Sequence, residues 1–170
     1  MLNISEVTMK NTNNKIKFRK HIKKDIPYRV KWLNNEKVSN LAIENPQKKT
    51  NAAEQAEWFK KYLESKNKKF FTIIYREAPI GFVGLSNIDL KKKTASLFIM
   101  IGEQKYQGRG FGSLTLNYIL NFGFKKLGLS KICLEVNRKN KPAIALYKKF
   151  GFRIINKGDK EMVMELDQKD

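Results

Sequence analysis

Apolar positions along this chain follow two periods, and the change from one to the other marks out its elements. Ile16 and Phe18 alternate with basic residues, which predicts a first strand over Ile16 to His21. Asp25 can cap a helix that runs to about Asn34, with Pro27 in its first turn. A short helix around Glu36 to Ile43 ends near Asn45-Pro46. Asn51-Ala52-Ala53-Glu54 has the form of a capping box, and the helix it opens places Ala52, Ala56, Phe59 and Leu63 near one face. Strands follow at Phe70 to Tyr75, Ile80 to Leu90 and Thr94 to Gly102, with turns at Arg76 to Pro79 and Lys91 to Lys93. The principal helix covers Ser113 to Leu127, and a strand follows at Lys131 to Val136. A short helix then opens at Asn140, and strands at Phe152 to Asn156 and Met162 to Leu166 close the chain. The order β-α-α-α-β-β-β-α-β-α-β-β combines an antiparallel meander with one βαβ crossover, an α/β arrangement around a mixed sheet.

Between the Thr94 strand and the principal helix lies Gln107-Gly108-Arg109-Gly110-Phe111-Gly112. Alternate glycines let main-chain amides point into one concavity, and a helix start adds its dipole, so the turn suits a pyrophosphate. A P-loop would need Lys-Ser or Lys-Thr after the last glycine, which is absent. A dinucleotide fingerprint has a different glycine spacing and sits early in its βαβ unit, whereas this turn lies two-thirds along the chain. The other kinase signatures are missing.

The downstream segment adds a second motif. In Asn140-Lys141-Pro142-Ala143-Ile144-Ala145-Leu146-Tyr147-Lys148-Lys149-Phe150-Gly151-Phe152, Asn140 is a good N-cap and Gly151 a stop. Together the two segments resemble the GNAT superfamily of acyl-CoA N-acyltransferases. Gln107, Gly110 and Gly112 match its Gln/Arg-x-x-Gly-x-Gly/Ala motif; Asn140, Ala143, Leu146, Tyr147, Gly151 and Phe152 match its Asn-x-x-Ala-x-x-Leu-Tyr-x-x-x-Gly-Phe motif. The resemblance extends over roughly residues 15 to 166, taken as a single N-acetyltransferase domain after a frayed tail at 1–14. It implies a mostly antiparallel central sheet flanked by helices, with the fourth and fifth strands splayed apart to admit the pantetheine arm.

The resemblance also implies acetyl transfer from acetyl-CoA, a cosubstrate, to a primary amine by direct attack, with no metal. Amides of Gln107, Gly108, Arg109, Gly110, Phe111 and Gly112 would hold the pyrophosphate, with Arg109 adding charge; Arg109 is equally readable as a solvent-facing turn residue. The main chain of Ile99, Met100 and Ile101 would pair with pantetheine, and an amide near Met100 would face the oxyanion. Tyr147 would protonate the departing thiolate; its other reading is an aromatic core residue. Asn140 would cap its helix and contact the cofactor. An alkylammonium must lose a proton before attack, and Glu103, Glu135 or a water chain are open as the base. Trp32 to Asn35 and Val38 resemble a segment of ribosomal-protein N-terminal and amino-sugar N-acetyltransferase-like members, with Trp32 also readable as a core residue; Glu36, Glu44, Glu54, Glu57 and Glu64 form no evident acidic cluster for a polyamine or aminoglycoside, which favours an amino-sugar or protein N-terminal amine. The rival reading is a non-catalytic module that binds CoA or nucleic acid.

Composition narrows the remaining options. The chain has 170 residues, 41% of them hydrophobic, enough for one domain with a full core. No apolar run reaches the roughly 18 residues of a membrane span, so no membrane partner is expected. One cysteine, Cys133, and one histidine, His21, exclude an internal disulfide and a Cys/His metal cluster. A cytoplasmic location fits. The net charge of +19 is spread along the chain as lysine with little arginine, so nucleic acid is not the expected partner, although a basic surface would attract an anionic cofactor or sugar nucleotide. A homodimer is compatible with everything above.

Overall fold

Basic-apolar alternation at the start of the chain produces a strand with one face in the core: in β2 (Asn14–Lys20), Ile16 and Phe18 are buried while Lys20 is exposed. A computed structural model describes residues 9–11, 14–39 and 49–168. The sheet has eight strands in the order β1-β2-β3-β4-β5-β6-β8-β7. Its members are β1 (Met9–Asn11), β2, β3 (Lys69–Tyr75), β4 (Ala78–Asp89), β5 (Thr94–Ile101), β6 (Lys131–Asn137), β7 (Arg153–Lys157) and β8 (Glu161–Asp167). Met9–Asn11 lies in the stretch expected to fray, yet it pairs antiparallel with β2 through Met9↔Ile16. This extra strand shifts the count, so the strands expected to splay as fourth and fifth are β5 and β6.

The helices fall where capping and periodicity put them. α1 (Ile26–Leu33) follows a single tight turn at Lys23–Asp25 and has proline in its first turn, but Asp25 does not cap it as expected, because its carboxylate is taken by Arg19, Thr72 and the Ile22 amide. α2 (Glu36–Ser39) is short, and the rest of the helix expected to reach Ile43 lies outside the described residues. Asn51 caps α3 (Ala52–Glu64), accepting from the Glu54 amide at 3.0 Å. α4 (Phe111–Asn121) ends in one wider turn, where the Leu127 amide reaches back to the Phe122 carbonyl at 3.1 Å. α5 (Lys141–Lys149) precedes Gly151, which has φ +94°.

The sheet divides two cores. On one face α4 and α5 bury Leu116, Ile119 and Ile144 against Ile73, Leu85 and Ile132. On the other, Trp32 and Val38 pack with Phe82 and Met100. Helix α3 departs from its expected face: Gln55 and Phe59 are buried, whereas Ala52 and Leu63 are exposed. A polar cluster sets this rotation. Arg29 lies 3.6 Å from the Trp58 ring centroid and 4.5 Å from that of Phe82, and its Nε donates to Gln55 at 2.9 Å.

That cluster continues beneath α1. Arg19 grips Asp25 with two hydrogen bonds of 2.7 Å, and the Thr72 hydroxyl donates to the same carboxylate at 2.7 Å. The Thr72 proton being so committed, its oxygen accepts from His21 Nδ1 at 2.8 Å. His21 is 4% exposed and edges Trp58 and Phe59, so its ring belongs to the core. Burial, with Arg29 nearby, pushes its pKa down to about 4.

The feature that positions the site is the junction of β5 and β6. They run parallel, and only Thr94↔Lys131, Ala95↔Ile132 and Ser96↔Cys133 are in register. Beyond Ser96 the strands part, while β6 stays paired with β8 as far as Asn137↔Glu161. The sheet is thus split alongside β5 from Leu97 to Ile101.

Candidate functional site

The glycine turn opens on this split. Gly108 and Gly110 have φ of +68° and +85°, a conformation that favours glycine, and a Cβ on either would meet nothing within 4 Å. Space is therefore kept beside them on the outer side of the turn. Gly110 is the N-cap of α4 and supplies no side chain to it. The first intrahelical bond runs from the Leu114 amide to the Gly110 carbonyl at 3.2 Å, leaving the amides of Phe111, Gly112 and Ser113 without an intrahelical acceptor. Asn side chains cap α3 and α5, whereas α4, like α1, starts without a side-chain cap, and its free amides suit an anion. Gly112 has a different reason: a Cβ there would come within 3.2 Å of Leu146 Cδ2, so it sets the approach of α4 to α5.

One wall of the cleft is β5. Gly102 donates to the Ile80 carbonyl at 2.8 Å, and antiparallel alternation then turns the Met100 main chain to Phe82 of β4. The Ile99 and Ile101 main chain faces the split instead. The amide expected near Met100 thus belongs to its neighbours, since Met100's own is committed to β4. Gln107 Nε2 donates to the Ile101 carbonyl at 2.8 Å, fastening the turn to the end of this wall.

The opposite wall comes from β6 and α5. Asn140 accepts from the Ala143 amide at 3.2 Å and starts α5, which carries Tyr147 inward. Tyr147 is 6% exposed, lies 5.6 Å from the Phe152 ring centroid and still lines the cleft. Burial pushes its phenol above the ordinary tyrosine range, so the hydroxyl stays protonated at neutral pH.

The cleft has a volume of about 510 Å³. Nine residues expected at the site line it: Ile99, Met100, Ile101, Gln107, Gly108, Gly110, Gly112, Asn140 and Tyr147. Arg109 and Phe111 do not. Arg109 is exposed and donates to the Lys105 carbonyl at 3.4 Å; the Phe111 ring sits in the core, 4.8 Å from Tyr75, leaving only its amide for the turn. Ser113, Leu146 and Tyr106 line the cleft unforeseen. Helical phase could have found the first two, one residue beyond Gly112 and one before Tyr147. Lys37 and Val38 of α2 also line it, bringing in the second core face.

The two candidate bases differ in place. Glu135 is exposed and lines the cleft. Glu103 Oε1 accepts from Trp32 Nε1 at 2.9 Å and pairs with Lys31. Burial opposes its ionisation, but these hydrogen bonds outweigh burial and hold its carboxyl below the usual range. Trp32 itself is 1% exposed and packs on Gly102, where a Cβ would lie 2.1 Å from the indole. Among the described residues no three His, Cys, Asp or Glu side chains gather to hold a metal. No described helix is long and apolar enough to cross a membrane.

With the geometry in hand, comparison with known proteins is specific. Residues 15–153 match the family model described as "Acetyltransferase (GNAT) domain". An "N-acetyltransferase 9-like protein" of Caenorhabditis briggsae is 26% identical over 150 residues, 80% of this chain and 74% of that protein. Spermidine N(1)-acetyltransferase of Escherichia coli K12 is 27% identical over 139 residues, 82% of this chain and 73% of that one. Among solved structures, spermidine N-acetyltransferase from Vibrio cholerae, in complex with CoA and spermine, superposes with a TM-score of 0.81 at 25% identity, over 90% of this chain and 95% of that one.

Proposed function

Because the chain belongs to the GNAT acetyltransferase family and is an acetyl-CoA-dependent acyltransferase, we propose that the split between β5 and β6 is where its acetyl transfer to a primary amine takes place. The observation that carries this reading is the convergence on one cleft of the uncapped α4 start, the unpaired β5 edge and the buried Tyr147 phenol. Acetyl-CoA, when bound, supplies an activated acyl group on a thiolate leaving group.

The residues divide the work by type. The amides of Phe111, Gly112 and Ser113, with the helix dipole behind them, are suited to the pyrophosphate; Gly108 and Gly110 let it approach. The Ile99 and Ile101 main chain offers pantetheine a strand edge, and one of these amides can meet an oxyanion. Tyr147 Oη holds a proton for the departing sulfur. Arg109, on the solvent side, contributes long-range charge only. Proton removal from the incoming ammonium falls to Glu135 or to water, because the Glu103 carboxylate is occupied by Lys31 and Trp32.

For the acceptor, the reading favours an amino-sugar or protein N-terminal amine. The spermidine acetyltransferases among the relatives support a polyamine, but the α1–α2 side of the cleft presents Lys37 and no cluster of free carboxylates among the described residues. A cytoplasmic setting suits this chemistry.

The test has two stages. Calorimetric titration with acetyl-CoA and CoA should give binding of both, and thiol release should then follow on adding a suitable amine. Binding without release from any amine would favour the non-catalytic module; absence of binding would remove the cleft from the account.

A further inference from the structure

The split in the sheet is lined from both faces. Ile99 and Ile101 pack in the core beneath α4 and α5, whereas Phe98 and Met100 pack with Trp32, Val38 and Phe82. A cosubstrate whose phosphates sit at the start of α4 would enter from the first face. The acceptor is left the second, where Lys37 and Val38 of α2 line the cleft. Helix α2 is far from β5 in the sequence, so a tertiary contact must fix the distance between them.

One side-chain pair does this. The Trp32 indole covers Gly102, the residue that follows β5, and its Nε1 donates to Glu103 Oε1 at 2.9 Å. Trp32 is 1% exposed, so its N–H needs a protein acceptor, and Glu103 is the described one. Lys31 pairs with the same carboxylate and Lys105 adds positive charge nearby, which keeps it ionised. From Trp32 the path to α2 is continuous. The Asn35 amide donates to the Trp32 carbonyl at 3.2 Å, and the Val38 and Ser39 amides donate to the Asn35 carbonyl at 2.9 and 2.8 Å. On the β5 side the Gly102 and Glu103 amides both donate to the Ile80 carbonyl, at 2.8 and 3.0 Å. The Glu103 carbonyl accepts from the amide of Tyr106, which lines the cleft. These last are main-chain bonds, so the end of β5 keeps its place whatever side chain stands at Glu103.

Resting on the acetyl-transfer reading above, we propose that Glu103 is a positioning residue: through its hydrogen bond to Trp32 it sets the distance of the α2 wall from the end of β5, and it takes no proton from the acceptor.

Spermidine, glucosamine and the peptide Ala-Gly-Gly are offered to the wild type with saturating acetyl-CoA and a thiol-release readout, and the best of them is used for the variants. Glu103→Gln keeps an oxygen for Trp32 Nε1 and removes the charge, whereas Glu103→Ala removes both. The acceptor kcat/KM should fall about tenfold in Glu103→Ala, mostly as a raised acceptor KM. It should stay within about twofold of wild type in Glu103→Gln, because an exposed pair with Lys31 contributes little. Acetyl-CoA affinity should change by less than about twofold in both, and the acid limb of the pH profile should stay in place. Trp32→Phe keeps a ring over Gly102 without the N–H. Where it retains its melting transition it should match Glu103→Ala, and the double variant should lose about tenfold, not a hundredfold.

Equal losses in the Gln and Ala variants would overturn the inference, since charge and not the hydrogen bond would then matter. Wild-type kinetics in Glu103→Ala, or an acetyl-CoA affinity that falls in step with turnover, would overturn it too. Additive losses in the double variant would overturn the route through Trp32. Thiol release from none of the three acceptors in the wild type would instead overturn the primary-amine reading on which the inference rests.

Discussion

Gln107 Nε2 donates to the Ile101 carbonyl at 2.8 Å, and this one bond joins the glycine turn to the end of the strand wall. The turn and the wall are proposed to hold opposite ends of one long ligand, so their spacing matters to both. Gln107→Ala should loosen that spacing at a cost of about 1 kcal/mol. The expected outcome is an acetyl-CoA affinity about fivefold to tenfold weaker by calorimetry, with little change in melting temperature. An unaltered affinity would show that the bond does not set the spacing.

Tyr147→Phe removes one hydroxyl and keeps the ring that packs beside Phe152. General-acid assistance is commonly worth about 10²–10⁴-fold, and a thiolate, being a good leaving group, needs less of it. Turnover should fall by about tenfold to a hundredfold while acetyl-CoA binding stays near normal. Equal turnover in the two proteins would take the phenol out of the mechanism.

The glycines of the turn should divide by cause. At Gly110, φ is +85° with open space beside it, so Gly110→Ala imposes backbone strain of about 1–2 kcal/mol at the helix start and fills ligand space. At Gly112 the added methyl meets a flexible leucine at 3.2 Å, which can give way. Acetyl-CoA affinity should therefore drop more in Gly110→Ala than in Gly112→Ala, and the reverse order in paired titrations would contradict the cradle.

Stability should fall in mild acid because of His21. Its pKa is lowered from 6.5 to about 4 by burial first and by Arg29 second, so folding favours the neutral ring. The unfolded chain binds the proton more readily, hence this contribution is complete above about pH 6.5 and is lost as pH falls towards 4. The size is about 3 kcal/mol. Asp25, whose carboxyl is also lowered once the Arg19 and Ile22 hydrogen bonds outweigh its burial, extends the loss below that window. Urea melts across pH 4–7 should show the slope in the wild type and a much flatter profile in His21→Gln. Parallel profiles would place the titrating group elsewhere.

Much of the fold was legible before any coordinates. Strands β3 to β8 and helices α3 to α5 fall within a few residues of their expected bounds, because period-2 and helical patterns, Asn caps and glycine stops are local signals. The site was legible for a similar reason: two short motifs carry nine of the twenty residues that line the cleft. Illegible were the contacts that depend on which neighbour a side chain finds. Hydrophobic spacing placed Leu63 on the inner face of α3, yet the buried Arg29 and His21 draw Gln55, Trp58 and Phe59 inward instead. Phe111 looked like part of the turn, but its ring is taken by the core beside Tyr75.

By itself the sequence determined the elements, the family resemblance and the glycine turn, since each rests on residues close together in the chain. Only the tertiary structure decided that Ile99 and Ile101, rather than Met100, face the split, because strand pairing with β4 chooses between alternate amides. It alone also decided which groups the Glu103 carboxylate meets. Glu103 meets Trp32 and Lys31 from 71 and 72 residues away in the sequence, and no local pattern encodes a pairing at that range.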